Sequence, residues 1–190
     1  KGAEVYIADF KGGVDFPKVW RQKCHMCFRE DTLLYVLGQL VAVLEARKEW
    51  LKDAGCDNLD AFNKATGEGL PRLVFACDEV AELLDRTGRS KEDKERLNQI
   101  ENRLATLARL GRAFGIHLIL ATQRPDANIL PGQIKNNMDF RVCGRADSIL
   151  SGIILDNTSA AEQIPKDARG RFITGDGTVF QAYLFDQERL

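Results

Sequence analysis

Short, continuous apolar runs recur along the chain, and each ends in polar or turn-forming residues. They cover Glu4–Asp9, Leu73–Cys77 and His117–Thr122. Runs of this length, rich in β-branched or aromatic residues, are typical of strands buried in a sheet. The pattern predicts three buried strands, and the second, apolar throughout, is expected to be covered on both faces.

Two longer segments show helical spacing instead. From Asp31 or Thr32 to about Asp53, and from Ser90 to Phe114, apolar residues recur every three or four positions and so share one helix face. Asp31 and Ser90 are expected to cap the two helices, and Gly55 is expected to end the first.

Shorter elements fill the remaining chain. The predicted helices are Leu59–Lys64, Val80–Leu84 and Ser148–Leu155, the predicted strand is Phe140–Cys143, and the predicted hairpin joins Arg171–Thr174 to Thr178–Leu184. Strands that alternate with helices predict an α/β fold with a mainly parallel sheet, because parallel neighbours need a crossover connection. The terminal hairpin adds an antiparallel part.

The composition is that of one compact domain. With 190 residues, of which 44% are hydrophobic and 29% charged, the chain can bury a sizeable core. The formal net charge of -1 gives no overall basic field for nucleic acid, although it leaves local basic patches open. No apolar run reaches the roughly eighteen residues that a membrane-spanning helix needs, and no secretory signal is present.

The cysteines indicate a reducing compartment and not a disulfide framework. They are five, an odd number, and two of them lie within predicted strands. Cys24 and Cys27 form a C-x-x-C pair, which is half of a zinc site, but no second pair stands at ligand spacing. We interpret them as two ordinary thiols beside a strand.

The strand at Leu73–Cys77 runs directly into two acids, Asp78 and Glu79. Nucleotide hydrolases place carboxylates at such a strand end, because the phosphates bind at the carboxyl edge of the sheet. In this interpretation Asp78 accepts a water of the Mg²⁺ shell, while Glu79 orients the attacking water. A lone acid here more often only caps the next helix, but two adjacent acids favour the functional interpretation.

The next long strand ends in Thr122 and Gln123, which should lie at the same edge as Asp78 and Glu79. A glutamine there can bond to a γ-phosphate or to its attacking water, and Thr122 is a candidate nucleotide contact. The alternative is a turn that Pro125 enforces, with no further role.

Two further patterns are ambiguous. Asp9 closes the first strand before Lys11-Gly12-Gly13, whose glycines let the backbone approach a ligand, but a structural turn explains them equally well. The stretch Arg86–Arg112 holds eight basic and four acidic residues, which suits either a polyanion surface or a solvated helix face.

A phosphate-binding loop is missing from the pattern. No G-x-x-x-x-G-K-[ST] segment occurs in the 190 residues, and Lys11 does not supply one, because it precedes its glycines instead of opening a helix. The chain starts on Lys1 and enters a strand almost at once. We therefore expect it to be a fragment that begins after the loop.

Together these segments resemble the FtsK/SpoIIIE family of ring-forming motor ATPases. The most specific part is Leu107–Pro125, and the resemblance covers nearly the whole chain. Similar segments are Ile134–Val142, Ile154–Asp156, Asn58–Asn63 and Ile7–Gly13, the last with Phe10 where the family usually has proline.

The resemblance implies a RecA-like P-loop NTPase core that uses ATP and Mg²⁺, forms a hexameric ring and translocates a polymer. By position, Asp78 is similar to the Walker B aspartate, Glu79 to the catalytic glutamate and Gln123 to the sensor. Residues 1–190 would be a single motor-domain fragment without its N-terminal strand and Walker A loop, and with negligible ATP affinity. It would be a cytoplasmic domain of a parent protein tethered to the inner face of the bacterial cell membrane.

Arg141 and Arg145, on either side of the predicted strand Phe140–Cys143, are candidates for a role in such a ring. An arginine from one subunit can contact the neighbour's γ-phosphate and compensate the charge of the transition state. Both can equally be surface residues that pair with Asp139 and Asp147.

Three functions remain open at the level of sequence. The first is an ATP-driven translocase of double-stranded DNA, in chromosome segregation or in conjugative transfer, which we favour from the similarity of Ala146–Ser148 and Ile164–Asp167 to conjugative members. The second is an EssC/EccC-type motor that secretes proteins. The third is a scaffold module that does not hydrolyse ATP, against which the intact acids at Asp78 and Glu79 argue.

Overall fold

The computed structural model describes residues 2–11, 16, 18–123 and 131–184. These residues group into two compact units, Lys1–Thr122 and Gln123–Leu190. Each unit has a sheet and a buried core of its own. The expectation that the 190 residues make a single domain stays a prediction.

The first unit is built on a parallel sheet. Its strands are β1 (Ala3–Ala8), β2 (His25–Cys27), β3 (Arg72–Cys77) and β4 (Ile116–Leu120). Their order is β2-β1-β3-β4, and all three pairings are parallel. The predicted α/β class with a parallel sheet is confirmed, while the short strand β2 was not predicted.

Helices connect these strands. They are α1 (Lys18–Lys23), α2 (Glu30–Asp53), α3 (Leu59–Thr66), α4 (Val80–Leu84) and α5 (Lys91–Leu110), and a 3-10 turn at Gly111–Phe114 follows α5. The two long helices pack against each other. The apolar residues that recur in their sequences are buried, namely Leu33, Leu37, Leu40, Leu44 and Leu51 of α2 and Leu97, Ile100, Leu104 and Leu107 of α5. Each such side chain contributes roughly 1.5–3 kcal/mol when it leaves water.

The predicted helix ends are mostly confirmed. The Ser90 hydroxyl accepts the Asp93 N–H at 3.1 Å and so caps α5. Gly55 follows the end of α2 in a left-handed conformation and donates its N–H to Lys52. The expected cap at Asp31 was wrong, because α2 starts one residue earlier and its capping position is Arg29, whose side chain makes no capping bond. Asp31 lies in the first turn, where its charge still favours the helix dipole.

The second unit contains a small antiparallel sheet of β5 (Val142–Cys143), β6 (Arg171–Thr174) and β7 (Val179–Gln181), in that order. Its helices are α6 (Gly132–Lys135), α7 (Ser148–Leu155) and α8 (Ser159–Gln163). A cluster of Cys143, Leu155, Ala160, Ile164 and Ile173 forms the core. The predicted terminal hairpin is confirmed as β6 and β7.

Helices in the part of the chain that the structure describes are all too short or too polar to cross a membrane.

Candidate active site at the carboxyl edge of the parallel sheet

The carboxyl ends of β1, β3 and β4 lie side by side. Ala8 of β1 is in register with Cys77 of β3, which is in register with Leu120 of β4. Backbone bonds continue past the strands, from the Asp78 N–H to the Ala8 carbonyl at 3.1 Å and from the Ala121 N–H to the Cys77 carbonyl at 2.9 Å. The residues that follow these strands therefore share one edge, as the sequence predicted.

Glu79 is held in a turn of unusual geometry. Its φ of 56° and ψ of 56° are left-handed, a conformation that costs a residue with a side chain about 1–2 kcal/mol. Two interactions with the end of β4 hold it, since the Thr122 hydroxyl donates to the Glu79 carboxylate at 2.5 Å and the Val80 N–H donates to the Ala121 carbonyl at 2.9 Å. Strain of this kind is characteristic of functional turns.

Asp78 faces the end of β1. Its carboxylate oxygen Oδ2 lies 3.4 Å from Lys11 Nζ, and the two side chains are 28% and 32% exposed. The acid is therefore reachable from solvent, and its ion pair is a loose one.

Asp9 is a site residue that the sequence left undecided. The side chain is fully buried, and Oδ1 accepts the N–H of Lys11 at 2.9 Å. Its other oxygen, Oδ2, has no hydrogen-bond partner within the described structure. Gly12 and Gly13, which made the sequence ambiguous here, lie outside the described residues. The sequence signal that could have identified Asp9 is its position as an acid at the end of a predicted strand, the same position that Asp78 has.

Oxygen donors at this edge suit magnesium. Asp9 supplies a buried carboxylate oxygen without a partner and Asp78 an exposed one, and Mg²⁺ at nucleotide sites is held by one or two carboxylates together with phosphate and water. In the described ranges, no group of three or more His, Cys, Asp or Glu side chains is placed to hold a metal alone. The residues present therefore fit a magnesium ion that arrives with a nucleotide.

The cysteines near this sheet edge are not suited to nucleophilic or metal-binding chemistry. Burial raises the pKa of Cys77 to about 12, helped by the negative charges of Asp78 and Glu79, and burial raises the pKa of Cys27 to about 11. Burial also raises the pKa of Cys24. Thiols with raised pKa values are poor nucleophiles and poor metal ligands at neutral pH.

Gln123 follows Thr122 directly and is exposed. Its role as a sensor stays a prediction. Arg124 and Pro125, which complete the predicted turn, lie outside the described residues.

The side chains of Arg141 and Arg145 form hydrogen bonds to residues of the second unit. Arg141 contacts the Asp156 carboxylate at 2.5 Å and donates to the Met138 carbonyl at 3.0 Å. Arg145 donates to the Ala161 and Ile164 carbonyls, at 2.9 Å and 2.6 Å. These contacts explain both arginines as structural residues, and a role toward a neighbouring subunit stays a prediction.

Two of the eight basic residues in the stretch Arg86–Arg112 form ion pairs with helix α2. Arg89 lies 3.0 Å from Glu30, and Arg96 lies 3.8 Å from Glu30 and 3.5 Å from Asp31. These pairs join the two packed helices, and they account for Arg89 and Arg96 as structural residues. A polyanion surface formed by the remaining basic residues stays a prediction.

Known proteins match both the sequence and the fold. The FtsK/SpoIIIE family profile matches residues 30–127, which is half of the chain. This chain belongs to the FtsK/SpoIIIE family. DNA translocase FtsK of Chlorobaculum tepidum is 35% identical over 129 residues, which are 67% of this chain and 15% of that protein. The chain thus spans a small part of this relative's length.

Solved structures of family members and related ATPases share the fold. The pCW3 conjugation coupling protein TcpA, in its monomer form with ATPγS, superposes with a TM-score of 0.93 at 40% identity, over 99% of this chain and 54% of TcpA. EccC ATPases 2 and 3 of Thermomonospora curvata superpose with a TM-score of 0.71 at 23% identity, over 96% of this chain and 32% of that one. The second match shows the fold alone. The predicted P-loop ATPase architecture is confirmed.

Proposed function

We propose that this chain is the magnesium- and water-binding half of the ATPase site in a DNA translocase of the FtsK/SpoIIIE type. The observation that carries the proposal is the placement of Asp78, Glu79 and Thr122 at one sheet edge, where Thr122 holds Glu79. Parallel α/β sheets bind their ligands at this edge. A 40% identical structure with an ATP analogue, TcpA, supports nucleotide use.

Each acid has a separate role in this proposal. Asp78 and Asp9 provide the oxygens that face a magnesium ion, directly or through water. Bound magnesium would supply charge neutralisation at the phosphates. Glu79 orients a water molecule toward the γ-phosphate and draws on its proton, and Thr122 fixes the carboxylate that does so. Gln123 is the candidate sensor of the γ-phosphate.

In this proposal, residues of the parent protein outside these 190 supply the phosphate-binding loop. One more strand and its loop would complete the site. Among the described strands β4 pairs only with β3, so the outer edge of β4 is the place where that strand would add. The 190 residues alone are then expected to bind ATP negligibly, and micromolar affinity in calorimetry would contradict this arrangement.

We propose double-stranded DNA as the cargo. The parent protein would form a hexameric ring and would be tethered to the cell membrane. Identity favours DNA over secreted protein, since TcpA, a conjugation coupling protein, is 40% identical and EccC, a secretion ATPase, only 23%. Conjugative transfer is the process we favour for the same reason.

ATP hydrolysis with and without DNA tests the proposal. A protein that carries these 190 residues together with the upstream loop is expected to hydrolyse ATP, and double-stranded DNA is expected to raise the rate. Hydrolysis that DNA leaves unchanged would count against the DNA cargo and favour a secreted protein. No hydrolysis, despite normal ATP binding, would favour a scaffold.

Glu79→Gln separates binding from chemistry in the same protein. The amide keeps the shape of the side chain but cannot take up a proton, so ATP hydrolysis should fall by about two orders of magnitude or more, while the Kd for ATP stays within about twofold. Turnover and equilibrium binding, measured side by side, check this. A variant that hydrolyses ATP normally would remove Glu79 from the catalytic role.

A further inference from the structure

The ion pair between Lys11 and Asp78 links two strand ends that are 67 positions apart in sequence. Lys11 follows β1 and Asp78 follows β3, and these two strands are adjacent in the sheet. The pair therefore brings a cation to the acid that the proposed function assigns to magnesium.

The ion pair between Lys11 and Asp78 is weak. A distance of 3.4 Å is long for a charge-assisted hydrogen bond, and both side chains are about one-third exposed. Pairs of this kind contribute at most about 1 kcal/mol. A divalent cation with twice the charge can therefore replace the ammonium at Asp78 without a large loss of stability.

Asp9 fixes where Lys11 stands. Oδ1 of this buried acid accepts the Lys11 N–H at 2.9 Å, while the Asp9 N–H donates to the Cys27 carbonyl of β2 at 3.0 Å. The backbone of Lys11 is thus anchored to the sheet, whereas its side chain reaches across to β3. Oδ2 of Asp9 is buried and has no hydrogen-bond partner in the described structure.

We propose that Lys11 is an exchangeable cation of the nucleotide site: it binds Asp78 when no nucleotide is present, and it binds an oxygen of the γ-phosphate once magnesium has taken its place at Asp78. Asp9 is the positioning residue that holds Lys11 in reach of both. Lysine suits this exchange because its ammonium is a flexible point charge that binds phosphate well. The inference rests on the proposed function, since it needs magnesium and phosphates at this edge.

Competition for Asp78 is tested first, on the 190-residue chain with Mn²⁺ as the probe. Two carboxylates without a nucleotide should bind the free ion only weakly, so the titration extends to about 10 mM. Paramagnetic broadening of the Asp78 and Glu79 amide signals in nuclear magnetic resonance spectra reports the metal, and a titration gives its Kd. Lys11→Met should tighten Mn²⁺ binding about fivefold, because it removes a partly exposed ion pair. Lys48→Met is the matched control, since Lys48 pairs with Glu45 on α2 and its loss changes the net charge equally.

The positioning role of Asp9 is tested by a double-mutant cycle. Asp9→Ala removes the acceptor of the Lys11 N–H, so the further change of Lys11 to Met should then alter the Mn²⁺ affinity by less than twofold. Circular dichroism on each variant confirms that the fold is kept. An undiminished effect of Lys11→Met in the Asp9→Ala background would overturn the positioning role.

The phosphate half is tested in the protein that also carries the upstream loop. With Mg²⁺ present, Lys11→Met should reduce the preference for ATPγS over ADP about tenfold, the effect of one lost charge-assisted hydrogen bond, while Lys48→Met should not. An unchanged preference in a protein that hydrolyses ATP would overturn the exchange and leave the proposed function intact.

Failure of the proposed function would give results different from failure of the exchange alone. A protein with the loop that binds no nucleotide would overturn both the proposed function and the phosphate half of the exchange. Unchanged or weaker Mn²⁺ binding by Lys11→Met, or no broadening at Asp78 in the wild type, would overturn the competition itself.

Discussion

Thr122 shows how one hydroxyl ties two strand ends together. Its bond to the Glu79 carboxylate joins the end of β4 to the strained turn after β3. The sequence suggested Thr122 as a nucleotide contact, whereas the structure shows it on the acid. In a nucleotide site, this contact would fix the direction in which Glu79 holds its water.

Thr122→Val is expected to lower turnover with little change in affinity. Valine keeps the shape but loses the hydroxyl, and a bond to a charged group is worth about 1.5–3 kcal/mol, so kcat should fall about tenfold or more. The Kd for ATP should stay within about twofold. Steady-state hydrolysis by the protein with its loop gives the first value, and calorimetry the second.

Thr122→Ser is the matched control, because serine retains the hydroxyl and should keep most of the activity. Equal loss in both variants would point to packing instead of the hydrogen bond. A valine variant with unchanged or higher kcat would show that the bond does not serve catalysis.

The boundary between α5 and β4 depends on one glycine. Gly115 has a φ of 70°, and a Cβ there would lie 2.2 Å from Cδ2 of Leu59, a buried residue of α3. Arg47 of α2 secures the same region through bonds to the Phe114 and Pro71 carbonyls, both at 2.7 Å. Strand β4, which precedes Thr122, therefore starts from a tightly packed point.

Gly115→Ala should destabilise the first unit more than Gly88→Ala does. Gly88 has the same φ of 70° but open space around its Cβ position, so it isolates the backbone cost of about 1–2 kcal/mol. At Gly115 the clash with Leu59 adds about 1–3 kcal/mol. Urea unfolding followed by circular dichroism gives both free energies, and equal losses would show that Leu59 moves aside freely.

Elements with long periodic patterns were predictable from sequence, and short ones were not. Helices α2 and α5 follow from repeated apolar positions, because a helix of five or more turns shows its buried face several times over. Strand β2 has three residues, His25–Cys27, and no alternation long enough to identify it. The cap at Asp31 failed because Glu30 and Asp31 both suit a first turn and only the backbone decides between them.

The same distinction holds for the site. Asp78 and Glu79 were predictable because they are adjacent and follow an apolar strand. The contact of Lys11 with Asp78 was not, since it depends on β1 lying beside β3, and strand order is not encoded in spacing. The contact of Arg141 with Asp156, which the left-handed end of α7 presents, was not predictable either, because the two residues are fifteen positions apart.

At the scale of the whole molecule, buried thiols are expected to lower the free energy of unfolding when the pH becomes alkaline. The pKa of Cys77 is about 12 in the folded chain and 9.0 in the unfolded chain. Between these values the unfolded chain releases the proton and the folded one keeps it, so the free energy of unfolding should fall by up to about 1.4 kcal/mol per pH unit above pH 9. Below pH 9 this contribution is fully present.

Urea unfolding at about pH 8.0, 9.5 and 10.5 measures this dependence, with one point below the pKa of the unfolded thiol and two above it. Cys77→Ala lowers the stability at every pH because it removes buried atoms, but its decline above pH 9 should be shallower than that of the wild type. Parallel declines would show that Cys77 is not the group responsible, and the other buried thiols, above all Cys27 with its pKa of about 11, would remain as causes together with Lys and Tyr ionisation.

The outer edge of β4 has a practical consequence for anyone who purifies this chain. An apolar strand that no other described strand pairs along one side is a template on which a second molecule can align. Ile119 displays the apolar side chain that such a partner would cover. Concentrated stocks of the 190 residues should therefore turn turbid on storage, because a formal net charge of -1 leaves little electrostatic repulsion to oppose association.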